Sequence, residues 1–134
     1  MCIRDSYNTF VSAGGVYTTT DVVDPLGLTT TYTHSTAAGA SGRLVSVKSP
    51  TVGGVRLETT YQYDSEGNVT LITEDPTGLN RQTTFIYDTT NFTGNLLTTR
   101  DSLGNTVTRT YDANNQLLTE TRVVSRLPVK FVVS

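Results

Sequence analysis

The chain has 134 residues, a formal net charge of −2 and only 16% charged residues. It has the length of one domain and no basic footprint for nucleic acid or an anionic membrane. Its 27 threonines, 7 tyrosines and 11 glycines suit half-wet strands joined by tight turns, while only 4 prolines and regular aromatic spacing argue against a disordered Ser/Thr stalk.

In chain order, Met1-Cys2-Ile3-Arg4-Asp5-Ser6 reads as the conceptual translation of a transposase adapter, which leaves the natural segment starting near Tyr7. Cys2 is the only cysteine, so no disulfide framework is expected. No basic–apolar–small leader and no bilayer-length apolar run is visible, so no membrane span is expected. Residues 7–122 read as a repeat array. Its first unit holds Asp24-Pro25-Leu26-Gly27 and Tyr32-Thr33-His34, and the small-residue run Ser35 to Gly42 reads as a loop. Between Tyr32 and Tyr63 the interval is 31 residues (63 − 32), which implies one stretched turn. The stretch Ser35 to Gly54 is open between a loop and a degenerate hairpin.

From there the beat is strict. Tyr63-Asp64, Tyr87-Asp88 and Tyr111-Asp112 recur 24 residues apart (87 − 63 and 111 − 87). A fixed period of this size marks a repeat architecture built from one supersecondary unit. Each period carries two turn signals, Gly67-Asn68 then Asp75-Pro76-x-Gly78, Gly94-Asn95 then Asp101-x-x-Gly104, with a strand-like run after each. Asp can accept bonds from amides just ahead, Pro presets φ, and Gly or Asn accepts φ > 0. The turn after Asp88 is three residues longer than the one after Asp64, and Asn115 stands where Gly67 stood. Alternation places Tyr61 with Tyr63 and Phe85 with Tyr87, giving one face richer in aromatics and leucines. The expected fold is all-β: tandem antiparallel β-hairpin repeats forming an open, curved sheet. After Arg122 the rhythm fades, and residues 123–134 read as a divergent or frame-slipped tail.

Tyr-Asp-Ser-Glu-Gly-Asn at 63–68, Asp-Pro-Leu-Gly-Leu-Thr-Thr-Thr-Tyr at 24–32 and the 24-residue spacing resemble the YD repeats of RHS proteins. The resemblance covers roughly Val16 to Arg122. It implies β-hairpin ribbons that spiral into a hollow shell, as in bacterial Rhs effectors, insecticidal toxin complexes and teneurins. In bacterial members the shell encloses a C-terminal toxin domain. By resemblance this chain is a structural segment of shell wall from a secreted or surface-delivered protein, with neighbouring repeats and an enclosed toxin as partners. A carbohydrate- or cell-surface-binding module is the alternative, to be told apart by whether Tyr63, Tyr87 and Tyr111 interdigitate or face solvent.

No enzyme, cofactor or metal is expected. Asp64, Asp88 and Asp112 directly precede turns, which favours backbone capping over a carboxylate ladder. Asp24 and Asp75 invite comparison with the aspartate dyad through which Rhs shells self-cleave, but 51 residues (75 − 24) separate them and Ser102 follows the closer Asp101. His34, the only histidine, has no companion for a metal site or triad and reads as a substituted wall position. Asn68-Val69-Thr70 and Asn91-Phe92-Thr93 match glycosylation sequons that a Thr-rich repeat produces by chance, and Gly14-Gly15 and Gly53-Gly54 read as turns.

Overall fold

The computed structural model describes residues 4–6, 17–90 and 93–125. Residues 1–3 of the adapter reading, Gly14-Gly15, Asn91-Phe92 of the second sequon and the tail beyond Ser125 lie outside the described residues. The chain is all-β. Runs of Thr, Tyr, Val and Ile fill the strands because branched and aromatic side chains pack well on a pleated surface, and no helix occurs among the described residues.

Two compact units divide the chain, Met1–Gln82 and Thr83–Ser134. The first holds β1 (Arg4–Ser6), β2 (Tyr17–Val23), β3 (Thr29–Ser35), β4 (Leu44–Lys48), β5 (Glu58–Tyr63) and β6 (Val69–Glu74), each pairing antiparallel with its sequence neighbour. The second holds β7 (Arg81–Tyr87), which begins just before the boundary, β8 (Leu96–Arg100), β9 (Thr106–Tyr111) and β10 (Leu117–Val123), paired in the same way. Each is an open meander. In the first unit the turns 24–28 and 49–57 therefore share one rim, and 36–43 and 64–68 share the other. In the second, 88–95 and 112–116 share a rim and 101–105 lies opposite.

The stretch Ser35 to Gly54 resolves into more than one loop. The turn 36–43 follows β3, β4 is a full strand, and a second long turn occupies 49–57. Within that turn Val52 and Val55 exchange both backbone bonds at 2.9 and 3.0 Å around Gly53 (φ 59°) and Gly54 (φ 78°). Two consecutive positive φ values are what a two-residue hairpin loop demands. The expectation of one stretched turn is thus corrected to two.

A second correction concerns the faces. Register pairs Tyr61 with Ile72 and Gln62 with Leu71, then slips so that Tyr63 faces Val69. The same slip occurs at Tyr87, which faces Leu96 while Ile86 faces Thr98, at Tyr111, which faces Leu117 while Thr110 faces Thr119, and at His34, which faces Leu44 while Thr33 faces Ser46. A one-residue bulge exchanges the faces of everything beyond it. Leu71 therefore lies on the side away from Tyr61, and the aromatics and leucines do not gather on one face. Bulges also bend and twist the bulged strand, so each repeat carries a built-in bend at its tyrosine.

The described residues form no apolar core. Among the described residues no hydrophobic side chain is buried, and only Ser35, Ser46 and Thr73 fall below a tenth exposed, at 5%, 8% and 6%. Ser46 and Thr73 belong to a row of hydroxyls, Thr19–Thr33–Ser46–Thr60–Thr73, that runs straight across β2 to β6. What holds each unit together is ladder hydrogen bonding and cross-strand pairs such as Thr110 with Thr119 (2.6 Å) and Arg109 with Glu120 (2.9 Å).

Candidate functional site

The candidate site is the recurring turn, and its geometry starts from the aspartate. At Asp64 the backbone N–H bonds the Asn68 carbonyl at 3.0 Å, and Gly67 N–H returns to the Asp64 carbonyl at 3.2 Å. Gly67 sits at φ 96°. The Asp64 carboxylate accepts from Asn68 N–H (2.8 Å) through one oxygen and from the Asn68 side-chain amide (3.0 Å) through the other. The same loop is built at Asp101, where Leu103 N–H, Asn105 N–H and the Asn105 amide bond the carboxylate at 2.9, 2.9 and 2.7 Å and Gly104 sits at φ 83°. It recurs at Asp112, capping Asn114 and Gln116 N–H at 2.8 and 2.9 Å, with Asn115 at φ 63°. It recurs again at Asp24, capping Leu26 and Leu28 N–H at 2.8 and 2.9 Å, with Gly27 at φ 79°.

This geometry divides the labour within Gly-Asn. The glycine takes the left-handed position, and asparagine is not the residue with positive φ: Asn68, Asn95 and Asn105 all keep negative φ. At 68 and 105 asparagine is there because its amide reaches the second carboxylate oxygen. Leu28 and Gln116 hold the same place in their loops without such a bond in the structure.

In the longer turn at Asp88 the carboxylate accepts from Thr90 N–H (2.9 Å) and the Thr93 hydroxyl (3.4 Å), while Asp88 N–H bonds the Asn95 carbonyl (2.9 Å) and Gly94 takes φ 66°. Here Asn95 turns its amide to Asn115 of the neighbouring hairpin at 3.1 Å.

The turn at Asp75 differs, against expectation. Gly78 does not adopt positive φ; Asp75 (φ 50°) and Asn80 (φ 48°) do. Asn80 N–H closes the loop on the Asp75 carbonyl at 2.7 Å, and Leu79 N–H bonds the carboxylate at 2.8 Å. Pro76, half-buried, occupies the second position of this turn. Gly78 is required for another reason. A Cβ there would collide with Asp75 Oδ2 and lie 2.8 Å from the carboxyl carbon.

The tyrosines that end β5, β7 and β9 are all half-buried. Tyr63 donates its hydroxyl to the Leu44 carbonyl at 2.6 Å and Tyr111 to the Leu96 carbonyl at 2.9 Å, in each case the first residue of the preceding strand. Each ring therefore ties its hairpin to the one before. Burial pushes the Tyr63 phenol up, the neighbouring Tyr61 adds to this, and the Arg43 guanidinium opposes it.

Arg43 carries no signal in the repeat pattern, and sequence reasoning missed it. It ends the turn 36–43 and reaches the next turn on the same rim, donating to the Asp64 carbonyl at 3.1 Å with its guanidinium 5.7 Å from the Tyr63 ring centroid. The bulge positions show that His34-Ser35 is a disguised Tyr-Asp pair. His34 sits at the slip, and Ser35 caps Ala37 N–H at 3.2 Å as the aspartates cap theirs. The signal was available in the Ser, which caps turns by the same chemistry. Measured from His34 to Tyr63 the interval is 29 residues (63 − 34), and the long turns 36–43 and 49–57 together account for the stretch.

Electrostatics follow from the caps. For Asp64, partial desolvation raises the carboxyl, but the Asn68 amide and the N–H groups of Asn68, Gly67 and Glu66 outweigh it and hold the group below its ordinary value. For Asp101 the Asn105 amide is the largest influence, and with the N–H groups of Asn105, Leu103 and Gly104 it lowers the carboxyl against a desolvation that raises it. These carboxylates are spent on backbone donors. Among the described residues no group of three or more His, Cys, Asp or Glu side chains gathers as a metal site would require.

Residues 40–79, which span β4 to β6 and the turns at Asp64 and Asp75, match the RHS Repeat family model. These residues form an RHS/YD-repeat segment. No curated protein matches it. The matched segment includes Arg43, Tyr63, Asp64, Gly67 and Asn68, which together make the clamped turn described above. The 24-residue beat beyond residue 79 continues the same chemistry at Asp88, Asp101 and Asp112.

Proposed function

We propose that this RHS-repeat chain is a non-enzymatic wall segment of a β-shell that encloses a C-terminal toxin domain in a secreted or surface-delivered bacterial protein. One observation carries the reading: each unit is a hairpin meander without a buried apolar residue among those described. A sheet of this kind needs packing against other structure to be stable by itself, and repeats that each contact only their neighbours suit a continuous wall. The tyrosine hydroxyls support it further, since Tyr63 and Tyr111 are committed to the preceding hairpin. Stacking on a sugar would call for a row of free, solvent-facing rings, so the wall reading is preferred over a carbohydrate module.

The test uses the parent protein. Limited proteolysis of the intact protein should spare its C-terminal domain, and disrupting the wall with Tyr63→Ala and Tyr111→Ala together should expose that domain to cleavage. A C-terminal domain equally accessible in both forms would reject encapsulation.

A further inference from the structure

Both units contain the same corner between two turns of one rim, with one part exchanged. In the first, Arg43 closes its turn by accepting the Ser35 N–H at 2.8 Å, and the next residue, Leu44, accepts the Tyr63 hydroxyl. In the second, Asn95 closes its turn by accepting the Asp88 N–H at 2.9 Å, and the next residue, Leu96, accepts the Tyr111 hydroxyl. Arg43 and Asn95 are therefore equivalent positions, as are Tyr63 and Tyr111, Asp64 and Asp112, and Gly67 and Asn115. In the first unit the Arg43 guanidinium fills the corner. It bonds the Asp64 carbonyl at 3.1 Å, lies 5.7 Å from the Tyr63 ring centroid and comes within 3.0 Å of where a Cβ on Gly67 would stand. Asn95 is too short to do this and donates its amide to Asn115 Oδ1 at 3.1 Å. The same corner of the second unit is a cleft of about 580 Å³, lined by Asp88, Thr93, Asn95, Tyr111, Asp112 and Asn115 among others.

We propose that this cleft is a socket for the guanidinium of an arginine side chain carried by another segment of polypeptide, which takes the place that Arg43 fills in the first unit. Charge favours it: Asp88 and Asp112 line the cleft and no described Lys or Arg does. Asp112 takes both its backbone donors on one oxygen, and its other oxygen accepts from no described residue. A carboxylate and a tyrosine ring together suit a planar cation that stacks and donates at once, which an ammonium does less well. Asn115 has the Cβ that Gly67 lacks, so the incoming group sits slightly further out than Arg43 does. At that position Asn115 Oδ1 becomes an acceptor for it once the Asn95 amide turns away. The proposal is independent of what the parent protein encloses.

The test uses the intact parent protein with a trifluoromethyl label on Ala113→Cys, an exposed position in the lining of the cleft, read by fluorine NMR against the unsubstituted protein. The probes are N-acetyl-arginine amide and N-acetyl-lysine amide. Asn95→Arg puts an arginine where the first unit has Arg43 and gives the reference signal of a filled socket. If a separate protein supplies the arginine, the label shifts saturably toward that reference with the arginine probe. The lysine probe then binds roughly fivefold more weakly. Asn95→Arg abolishes the response, while Asn95→Ala, which leaves the cleft open, keeps it. If the parent protein itself supplies the arginine, the label already stands at the reference position and ignores the probe. Ala113→p-benzoylphenylalanine then cross-links to an arginine-bearing peptide of the same chain. A label that stands away from the reference and ignores the arginine probe overturns the proposal. So do equal responses to the two probes, a response that Asn95→Arg retains, and a silent label without an arginine-bearing cross-link.

Discussion

Two turns of this chain begin with the same letters and fold differently. Asp24-Pro25-Leu26-Gly27-Leu28 and Asp75-Pro76-Thr77-Gly78-Leu79 share Asp, Pro, Gly and Leu at the same places. The first closes at its fifth residue with Gly27 left-handed; the second closes one residue later with Asn80 left-handed. The sixth residue decides. It is Thr29 in the first turn and Asn80 in the second. A β-branched threonine at positive φ is strongly disfavoured, whereas asparagine visits that region readily. Where asparagine is available the loop can delay its reversal, and glycine is freed to serve as a close-approach site under the Asp75 carboxylate. A motif is thus defined by where its left-handed residue can fall.

The largest effect should come from breaking that close approach. Gly78→Ala must expel the Asp75 carboxylate from the space the methyl group needs and lose its bond to Leu79 N–H, a cost of about 2–3 kcal/mol. Gly27→Ala meets nothing within 4 Å and bears only the strain of φ 79°, about 1 kcal/mol. Urea unfolding of the two variants should rank them in that order. In an Asp75→Gly background, which removes the carboxylate and suits φ 50°, Gly78→Ala should become nearly neutral. Equal costs in both backgrounds would mean the carboxylate is not what excludes the methyl group.

Next in size is Asn80→Thr, which removes the residue that lets the second turn close late. It should destabilise by about 1–2 kcal/mol, and amide exchange should show residue 80's own closing bond to the Asp75 carbonyl (2.7 Å in the native turn) lost first. The reciprocal Thr29→Asn should be well tolerated.

Much of this was legible in the sequence. The 24-residue beat, the strand ends at Tyr63, Tyr87 and Tyr111 and the all-β class follow from turn chemistry and alternation, which are local. The faces were not legible, because a bulge at each tyrosine shifts register by one, and no single residue type announces a bulge of this kind. Arg43 was invisible for a related reason: it acts across two turns of one rim, 21 residues from Asp64. The 24–28 and 101–105 loops look distinct in text, yet both are the loop found at 64–68. That equivalence rests on hydrogen-bond closure, which Pro25 or Ser102 does not alter.

A smaller effect separates the turns that carry the asparagine amide from those that do not. The Asp64 and Asp101 carboxyls are held below their ordinary values, so the unfolded chain, with carboxyl pKa near about 3.9, takes up protons first as pH falls. Their contribution is therefore fully present above about pH 4 and drains away as pH falls toward and through the lowered folded values. Asn68→Ala should move the Asp64 carboxyl upward in an NMR titration and flatten the acid dependence of stability. No upward movement would mean that the backbone donors alone set the value.

The smallest change should run in the stabilising direction. Asp112 makes the same loop as Asp64 and Asp101 but has Gln116 where they have asparagine, and its cap rests on the N–H groups of Asn114 and Gln116. Glutamine is one methylene too long to return to the second carboxylate oxygen in this loop, while the Asn105 amide makes that contact at 2.7 Å. Gln116→Asn should therefore add the missing bond. Both groups are exposed to water, which limits the gain to about 0.5 kcal/mol. The sharper readout is the new side-chain amide itself. By NMR its proton facing the carboxylate should move downfield and exchange more slowly than its twin, because a charge-assisted bond responds to the donor even where stability barely moves. If the two amide protons behave alike, the second oxygen is already satisfied by water, and the Gly-Asn pairing at 67–68 and 104–105 requires an explanation other than the cap.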